Sequence, residues 1–315
     1  MAEMVALELP GVGVAPGRRL PFLVDVGRRL VREKPLGLIG GLLVLMFVVM
    51  AVAAPVLTPY GPGQLGAGAR LLGPSGAHLF GTDNLGRDVF SRVVRGAQVS
   101  MTIGVLAVVI STLISLAIGV LTGYFGGLFD MLFQRVVDGF MAFPALVFLI
   151  AVGAMFTNAQ IPGLPTQGLF STTVMSISIE LGVLFGVGNS RVIRSATLSV
   201  VSSTYIEAAR ASGASHARLI LVHVVPNVMP PVITLATLGL GGIILTESAL
   251  EFLGLGVPPD QVTWGKMLST EARAYMLQAP WLAIFPGLAL STAVFGFNML
   301  GDALRDLLDP RLRRG

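Results

Sequence analysis

Six apolar stretches, each close to the length of a bilayer-spanning helix, constrain this chain more than any short motif in it. They fall at roughly 36–57, 99–122, 139–156, 172–190, 228–249 and 280–301. A run of about 20 apolar residues, rising 1.5 Å each as a helix, crosses the ~30 Å hydrocarbon core of a membrane. No water is available there to satisfy a backbone N–H or C=O, so these runs are expected to be helical. Composition agrees, with 54% hydrophobic and only 12% charged residues among 315. Mean hydropathy is +0.81. A soluble chain of this length would suggest two domains, but this one reads as an all-α integral membrane protein with six transmembrane helices.

The sections between the runs carry the topology. Residues 1–34 hold Pro10, Pro16 and Pro21, look irregular, and turn basic at Arg28, Arg29, Arg32 and Lys34. Ala51-Val52-Ala53 could pass for a signal-peptidase site. The apolar run before it exceeds a secretory h-region, however, so it reads as a retained first span. Thr58-Pro59-Tyr60-Gly61-Pro62 halts that span, and a polar, Gly-rich section continues to about residue 97. With six crossings both termini share a side, and that side holds fifteen of the 21 Lys and Arg residues. The positive-inside rule places it in the cytoplasm. The chain therefore divides into a cytoplasmic segment 1–34, a first span with an extracytoplasmic section 35–97, a five-helix core 98–304 and a cytoplasmic tail 305–315. Gly104, Ser111, Ser115, Gly119 and Gly123 in the second span are the small residues that permit close helix packing in lipid. The net charge of +4 comes from flanking arginines rather than one patch, so nucleic acid is not expected as a partner. The absence of cysteine rules out disulfides, thiolate metal sites and a cysteine nucleophile.

One polar stretch, 191–226, lies between the fourth and fifth spans on the cytoplasmic side. Thr204 followed by Glu207 has the spacing of a capping box that opens a short helix. Gly213 permits the backbone reversal that closes it. Ser215 can cap a second piece, which Pro226 is expected to end. Small residues at Ala208, Ala209 and Ala211 leave one face low. Two readings fit this shape: a knob that docks into another protein, or an amphipathic connector that only spaces two spans.

Sites of chemistry are scarce. The sequence has no Walker A loop, no HExxH and no GxSxG. Three histidines without cysteine make a metal site improbable, although His216 and His223 could share a helix face. Carboxylates inside apolar spans are costly. Glu180 falls near the middle of the fourth span, and Glu247 and Glu251 lie toward the outer end of the fifth. Each either lines a solute pathway or proton relay, or is a protonated or hydrogen-bonded group at a helix interface. A secondary transporter using Glu180 or Glu247 would follow from the first reading. Arg135 with Asp138, and Asp302 with Arg305, have the spacing of local ion pairs. Arg191 and Arg194 are adequately explained as topology anchors.

Four ordered stretches resemble the permease subunits of bacterial ABC importers. Glu207-Ala208-Ala209, Gly213 and His223-Val224-Val225-Pro226 resemble their "EAA" motif, with His223 and Val225 where Ile and Leu are usual. The His-x-x-Pro-Asn form resembles the dipeptide/oligopeptide/nickel branch, and its "C"-type permease in particular. Phe80-Gly81-Thr82-Asp83-Asn84-Leu85-Gly86-Arg87-Asp88, Glu247 through Gly256 with Trp264-Gly265-Lys266, and Leu300 through Arg311 agree with that branch. Gln98 and Glu251 depart from it. The resemblance covers residue 30 to the end. It implies a MetI-like permease core in the bacterial plasma membrane, without catalytic, cofactor or metal-binding residues of its own. Glu207, Ala208, Ala209, Gly213, His223 and Pro226 would seat in one of two partner ATPases that hold ATP and magnesium. A second, homologous permease would complete the pore. An extracytoplasmic binding protein would meet the region of Asp83, Arg87, Asp88 and Trp264. Peptides would be the cargo, with nickel, opines or other small solutes as the alternative.

Overall fold

The structure, a computed structural model, describes residues 22–61, 63–156, 163–166, 168–258 and 261–308, and its regular elements are all helices. Five of them are long and apolar enough to cross a membrane: α2 (Pro35–Leu57), α3 (Val89–Phe125), α6 (Thr172–Val201), α9 (Val225–Phe252) and α11 (Trp281–Leu308). The third expected span differs. Instead of one helix over 139–156 there are two, α4 (Gly127–Met141) and α5 (Ala145–Phe156), bent by 85° to each other. Pro144 accounts for the break, because its ring disfavours α geometry at Phe143. A sixth crossing exists only if this bent pair is taken as one broken span.

Hydrophobicity marked the lipid-depth part of each helix and missed its extensions. The helix α3 begins at Val89 rather than near 99, because the Asp88 carboxylate accepts from Ser91 N and caps it. Both α6 and α11 run past their apolar stretches, to Val201 and Leu308. Part of the segment expected to be irregular is α1 (Phe22–Glu33), and the second polar section contains α10 (Trp264–Tyr275). Thr263 caps α10 through a bond from Lys266 N, a local signal that the polar composition concealed.

Contacts between helix ends define two faces. On the near face, Lys34 meets Asp306, Asp130 meets Arg194 and Tyr124 meets His216. On the far face, Trp281 donates to the Thr82 carbonyl, and Gln261 to that of Gly168. Residues 1–21 and 309–315, including the tail arginines Arg311, Arg313 and Arg314, lie outside the described residues.

Glycine sets the spacing in the middle. The most extensive helix pair is α3 with α6. A Cβ on Gly119 would stand 2.7 Å from both the Ser190 carbonyl oxygen and Ile193 Cβ. One on Gly123 would stand 2.7 Å from Thr197 Cβ, and one on Gly186 2.9 Å from the Ser111 carbonyl oxygen. The sequence singled out Gly119 and Gly123, and both lie in this seam. The helices α2 and α11 close in the same way, with Gly40 against the backbone of Gly296 and Leu300. In contrast, Val52 and Val56 on the outer side of α2 are 76% and 89% exposed, as a lipid-facing surface requires.

Gly119→Ala should therefore destabilise the purified protein in detergent by about 1–3 kcal/mol through overpacking. Gly188→Ala on α6, where a Cβ meets no atom within 4 Å, should be neutral or slightly stabilising. Thermal unfolding of the two variants side by side checks this.

Candidate functional site

The near-face stretch forms a knob with an apolar root. The helix α7 (Thr204–Ala211) starts from Ser203, whose backbone is extended, and Ser203 makes no side-chain cap bond. The expected capping box is absent because Thr204 is already the first helical residue, which leaves Glu207 within the first turn. There its charge favours the helix N-terminal dipole. Ile206 points inward at 1% exposure and packs with Val120, Tyr124, Ile193, Leu219 and Val224. Glu207 and Ala208 are exposed and Ala209 is half-buried. Helical periodicity thus divides α7 into one anchored side and one low, open side.

Gly213 terminates α7 at φ +81°, with Gly213 N donating to the Arg210 carbonyl and Ala214 N to that of Ala209. A side chain there is strained whatever space surrounds it. Ser215 then caps the short turn α8 (His216–Arg218), accepting from Arg218 N at 3.4 Å. The His216 ring reaches back to α3, where its Nδ1 lies 2.7 Å from the Tyr124 hydroxyl. Sequence reasoning missed this pair, since the two residues lie 92 positions apart.

Pro226 does not end the second piece. The chain runs from α8 through a π-helical turn (Leu219–Val224) straight into α9, with Pro226 in the first turn. Pro226 supplies no N–H to the ladder, and the widened π turn ahead of it accommodates that gap and the change in register. Asn227 Nδ2 donates to the His223 carbonyl at 2.7 Å. His223 is half-buried and Pro226 exposed. The second piece of the knob, after the Gly213 turn, is therefore one end of a transmembrane helix, and α7 is the part set off from it.

The helix before the knob is also braced. Arg194 pairs with Asp130, with Nε 2.5 Å from Oδ1, and Arg191 pairs with Asp138. These arginines tie α6 to α4, which is more than anchoring topology. The expected Arg135–Asp138 pair is exposed and longer, at 3.8 Å.

The far face is a folded cap. Asp83 is fully buried and accepts from Leu85 N, Arg87 N and Arg87 Nε at 2.8, 2.9 and 2.6 Å. Asp88 caps α3 with one oxygen and meets His78 Nδ1 with the other at 2.9 Å. Trp264 is fully buried, donates to the Val93 carbonyl at 3.0 Å and packs edge-on against Phe47. These four residues hold the loop together from within and present little surface to a visiting protein. Their charged and aromatic character suggested contact, but a sequence does not show which side of a loop faces water.

Glu251 organises the rest of the cap. Its Oε1 accepts from Val257 N at 2.7 Å, and a Cβ on Gly256 would stand 2.0–2.3 Å from its carboxyl group. Lys266 Nζ donates to the Val257 and Pro258 carbonyls. Gly265 sits directly on Ser248 and Glu251. Glu247, 1% exposed, accepts from Ser100 and Ser248 at 3.4 and 3.2 Å. Glu251 thus fixes a loop, while Glu247 ties α9 to α3 through one oxygen and leaves Oε1 without a partner. Glu180 is the ninth of the 30 residues of α6, in its far-face half and close to the middle, and is buried at 5% exposure.

Among the described residues no cluster of His, Cys, Asp and Glu could hold a metal ion. The family profile described as "Binding-protein-dependent transport system inner membrane component" matches residues 115–314. A second, "N-terminal TM domain of oligopeptide transport permease C", matches residues 22–74. The chain belongs to the binding-protein-dependent ABC importer permeases, in their DppC/OppC branch. This permease is 38% identical to the "Dipeptide transport system permease protein DppC" of Alkalihalophilus pseudofirmus, over 90% of this chain and 88% of that one. It is 35% identical to a putative peptide transport system permease protein of Brucella suis, over 99% and 98%. The "Glutathione transport system permease protein GsiD" of Shigella flexneri is 39% identical over 90% and 88%. Among solved structures, the MetNI methionine ABC transporter in inward-facing form covers 70% of this permease and 98% of its own chain, at 17% identity and TM-score 0.54. That likeness establishes a shared all-helical fold. The permease is a multi-pass, non-catalytic subunit of the inner membrane, and its family works with a second permease, ATPases and a substrate-binding protein.

Gly256→Ala should force the Glu251 carboxylate off Val257 N and loosen the far-face cap, at a cost of about 1–3 kcal/mol. Maleimide labelling of a cysteine placed at Leu255 should quicken severalfold in that background. Adding Glu251→Ala should slow it again, because the two substitutions share one contact.

Proposed function

We propose that this permease imports peptides, forming the pathway with a homologous second permease and drawing its energy from two separate ATP-binding subunits. The observation that carries the coupling half is the divided knob. Ile206 is rooted in the helix core while Glu207 and Ala208 stand exposed beside it and Gly213 turns the chain at positive φ. Such a knob suits a groove in a partner: alanines allow close approach, and a charged residue gives orientation. The partners would hold ATP and magnesium, since this chain has no phosphate-binding loop. The near face would be cytoplasmic, both termini included, in keeping with the distribution of Lys and Arg.

The cargo reading rests on relatives whose names specify dipeptide, peptide or glutathione transport. An extracytoplasmic binding protein would meet the far face. Leu79 and Leu85, 58% and 41% exposed, would supply surface there, with Asp83, Arg87, Asp88 and Trp264 holding that surface in shape beneath. Continuity of the knob with α9 supplies the mechanism. When two ATPases close on ATP, the knobs approach and α9 turns as a rigid lever, opening one face and closing the other. His223 and Pro226, at the junction, would set the angle between knob and lever.

Glu207→Lys should leave membrane insertion and complex assembly intact while reducing peptide uptake per ATP hydrolysed by at least ~10-fold, as loss of a buried interfacial charge pair does. Gly213→Pro should do the same through backbone geometry. Parallel measurements of uptake and ATPase activity in proteoliposomes check both, and normal coupling in both variants would refute the docking role.

A further inference from the structure

A buried carboxylate oxygen beside a cavity lies on α6. Glu180 is 5% exposed; its Oε1 has no hydrogen-bond partner within the protein, while the N–H of Gly153 on α5 bonds the carboxylate. A Cβ on Gly153 would stand 3.6 Å from Oε2, so glycine is what lets α5 approach this closely. Beside the carboxylate is a cavity of about 30 Å³, lined by Gly153, Thr173, Ser176, Glu180, Leu250 and Gly256. Thr173, Ser176 and Glu180 follow one another at three- and four-residue steps, so helical periodicity sets them on one face of α6. Ser176 spends its hydroxyl proton on the Thr172 carbonyl, which leaves its oxygen an acceptor.

We propose that this notch receives a primary ammonium group: the amino-terminal –NH3+ of the peptide as it passes the far end of the pathway. The inference rests on the peptide-importer reading and adds to it the part of the peptide that is recognised. Three properties of the notch select that group. An unpaired carboxylate buried in a membrane protein is costly and calls for a cationic partner. No cationic side chain pairs with Glu180 among the described residues. The Ser176 oxygen and the Glu180 Oε1 face the notch as acceptors, and an ammonium head offers three donors and no acceptor. Size decides the rest. A cavity needs roughly 10–15 Å³ to admit one water, so this one takes a head group of one or two heavy atoms and excludes a side chain or a hydrated metal ion. Glu180 also lies about 12 Å along α6 from its far-face start, by helical rise. That depth is below the loops that would meet a binding protein. Selection here would follow delivery rather than duplicate it.

Glu251 stands behind the notch without entering it, because its carboxylate is turned toward Val257 N on the other side of Gly256. Leu250 and Gly256 belong to α9 and its following loop, so the notch spans the junction between α6 and the helix that carries the knob. A movement of α9 would change its shape.

The test uses the complete transporter, reconstituted with its second permease, ATPases and binding protein. Uptake of trialanine and of N-acetyl-trialanine is compared in the wild type, Glu180→Gln and Glu180→Asp. In the wild type the free amine should be favoured in kcat by at least ~10-fold, because a site built to bond an N–H group rejects the analogue that lacks it. Glu180→Gln should collapse that ratio, and Glu180→Asp should retain part of it. An unchanged ratio in Glu180→Gln would overturn the proposal. A second arm needs no cargo. Methylammonium added to the detergent-purified complex should shift a carboxylate infrared band in the wild type and not in Glu180→Gln. No shift in the wild type would overturn the notch even if peptides are carried. A shift without uptake of either peptide would uphold the notch and refute the peptide reading alone.

Discussion

The seam between α3 and α6 is the contact on which the other working parts depend. Side chains along most of a lipid-embedded helix gain little by leaving lipid for protein, so association must come from close backbone approach. Gly119, Gly123, Gly182 and Gly186 provide it, each with backbone or β-carbon atoms where its own Cβ would stand. Three consequences follow from that one alignment. The near end of α3 is held where Tyr124 can reach His216. The near half of α6 is held where Arg191 and Arg194 meet α4. Finally, α6 is delivered directly into α7, so the root of the knob packs on both members of the seam.

On the other side of the knob the constraint is continuity. Pro226, Pro230 and Pro231 all lie in the first turns of α9 and remove donors from its backbone ladder. The π-helical turn ahead of them and the Asn227 side chain absorb part of that loss, so the chain stays one rod. A rod transmits rotation where a flexible joint would dissipate it. Its far end carries Glu247 and Glu251, which bind the cap together, so displacement of the knob is felt at the cap about 28 residues of helix away. Polar groups that look expensive in a membrane helix thus have a mechanical use: they bind the moving helix to the loops it must move.

How much of this was legible depended on how local each cause is. Apolar runs were readable because hydrocarbon imposes its thickness on composition. Gly213 and Ser215 were readable because a positive φ and a helix cap each require particular residues at one position. The break at Phe143-Pro144 was written in the sequence but lay within an unbroken apolar run, and length outweighed the proline. Pro226 was misjudged for the opposite reason: proline stops helices in general, yet at a helix start behind a π turn it does not. Asp83, Arg87, Asp88 and Trp264 show the deeper limit. Their motif is plain in the sequence, while their burial arises from contacts with Val93, Phe47 and His78 that no spacing rule contains.

The two ends of this permease solve opposite problems with similar residues. At the knob, polar and small side chains remain exposed, and α7 is anchored by Ile206 with Ala209 packed beside it. At the cap, carboxylates and glycines turn inward because the loop has to hold its shape without help. Glu180 fits neither pattern. It is buried like the cap residues, yet its Oε1 remains unbonded beside a cavity, and loop rigidity gains nothing from that. A group buried at cost and left unsatisfied persists where a ligand completes it; Glu247 also has an unbonded Oε1, and it is the cavity beside the carboxylate that sets Glu180 apart. A subunit without catalytic groups can in this way still exercise selection, at the point where the lever helix α9 and the seam helix α6 share a wall.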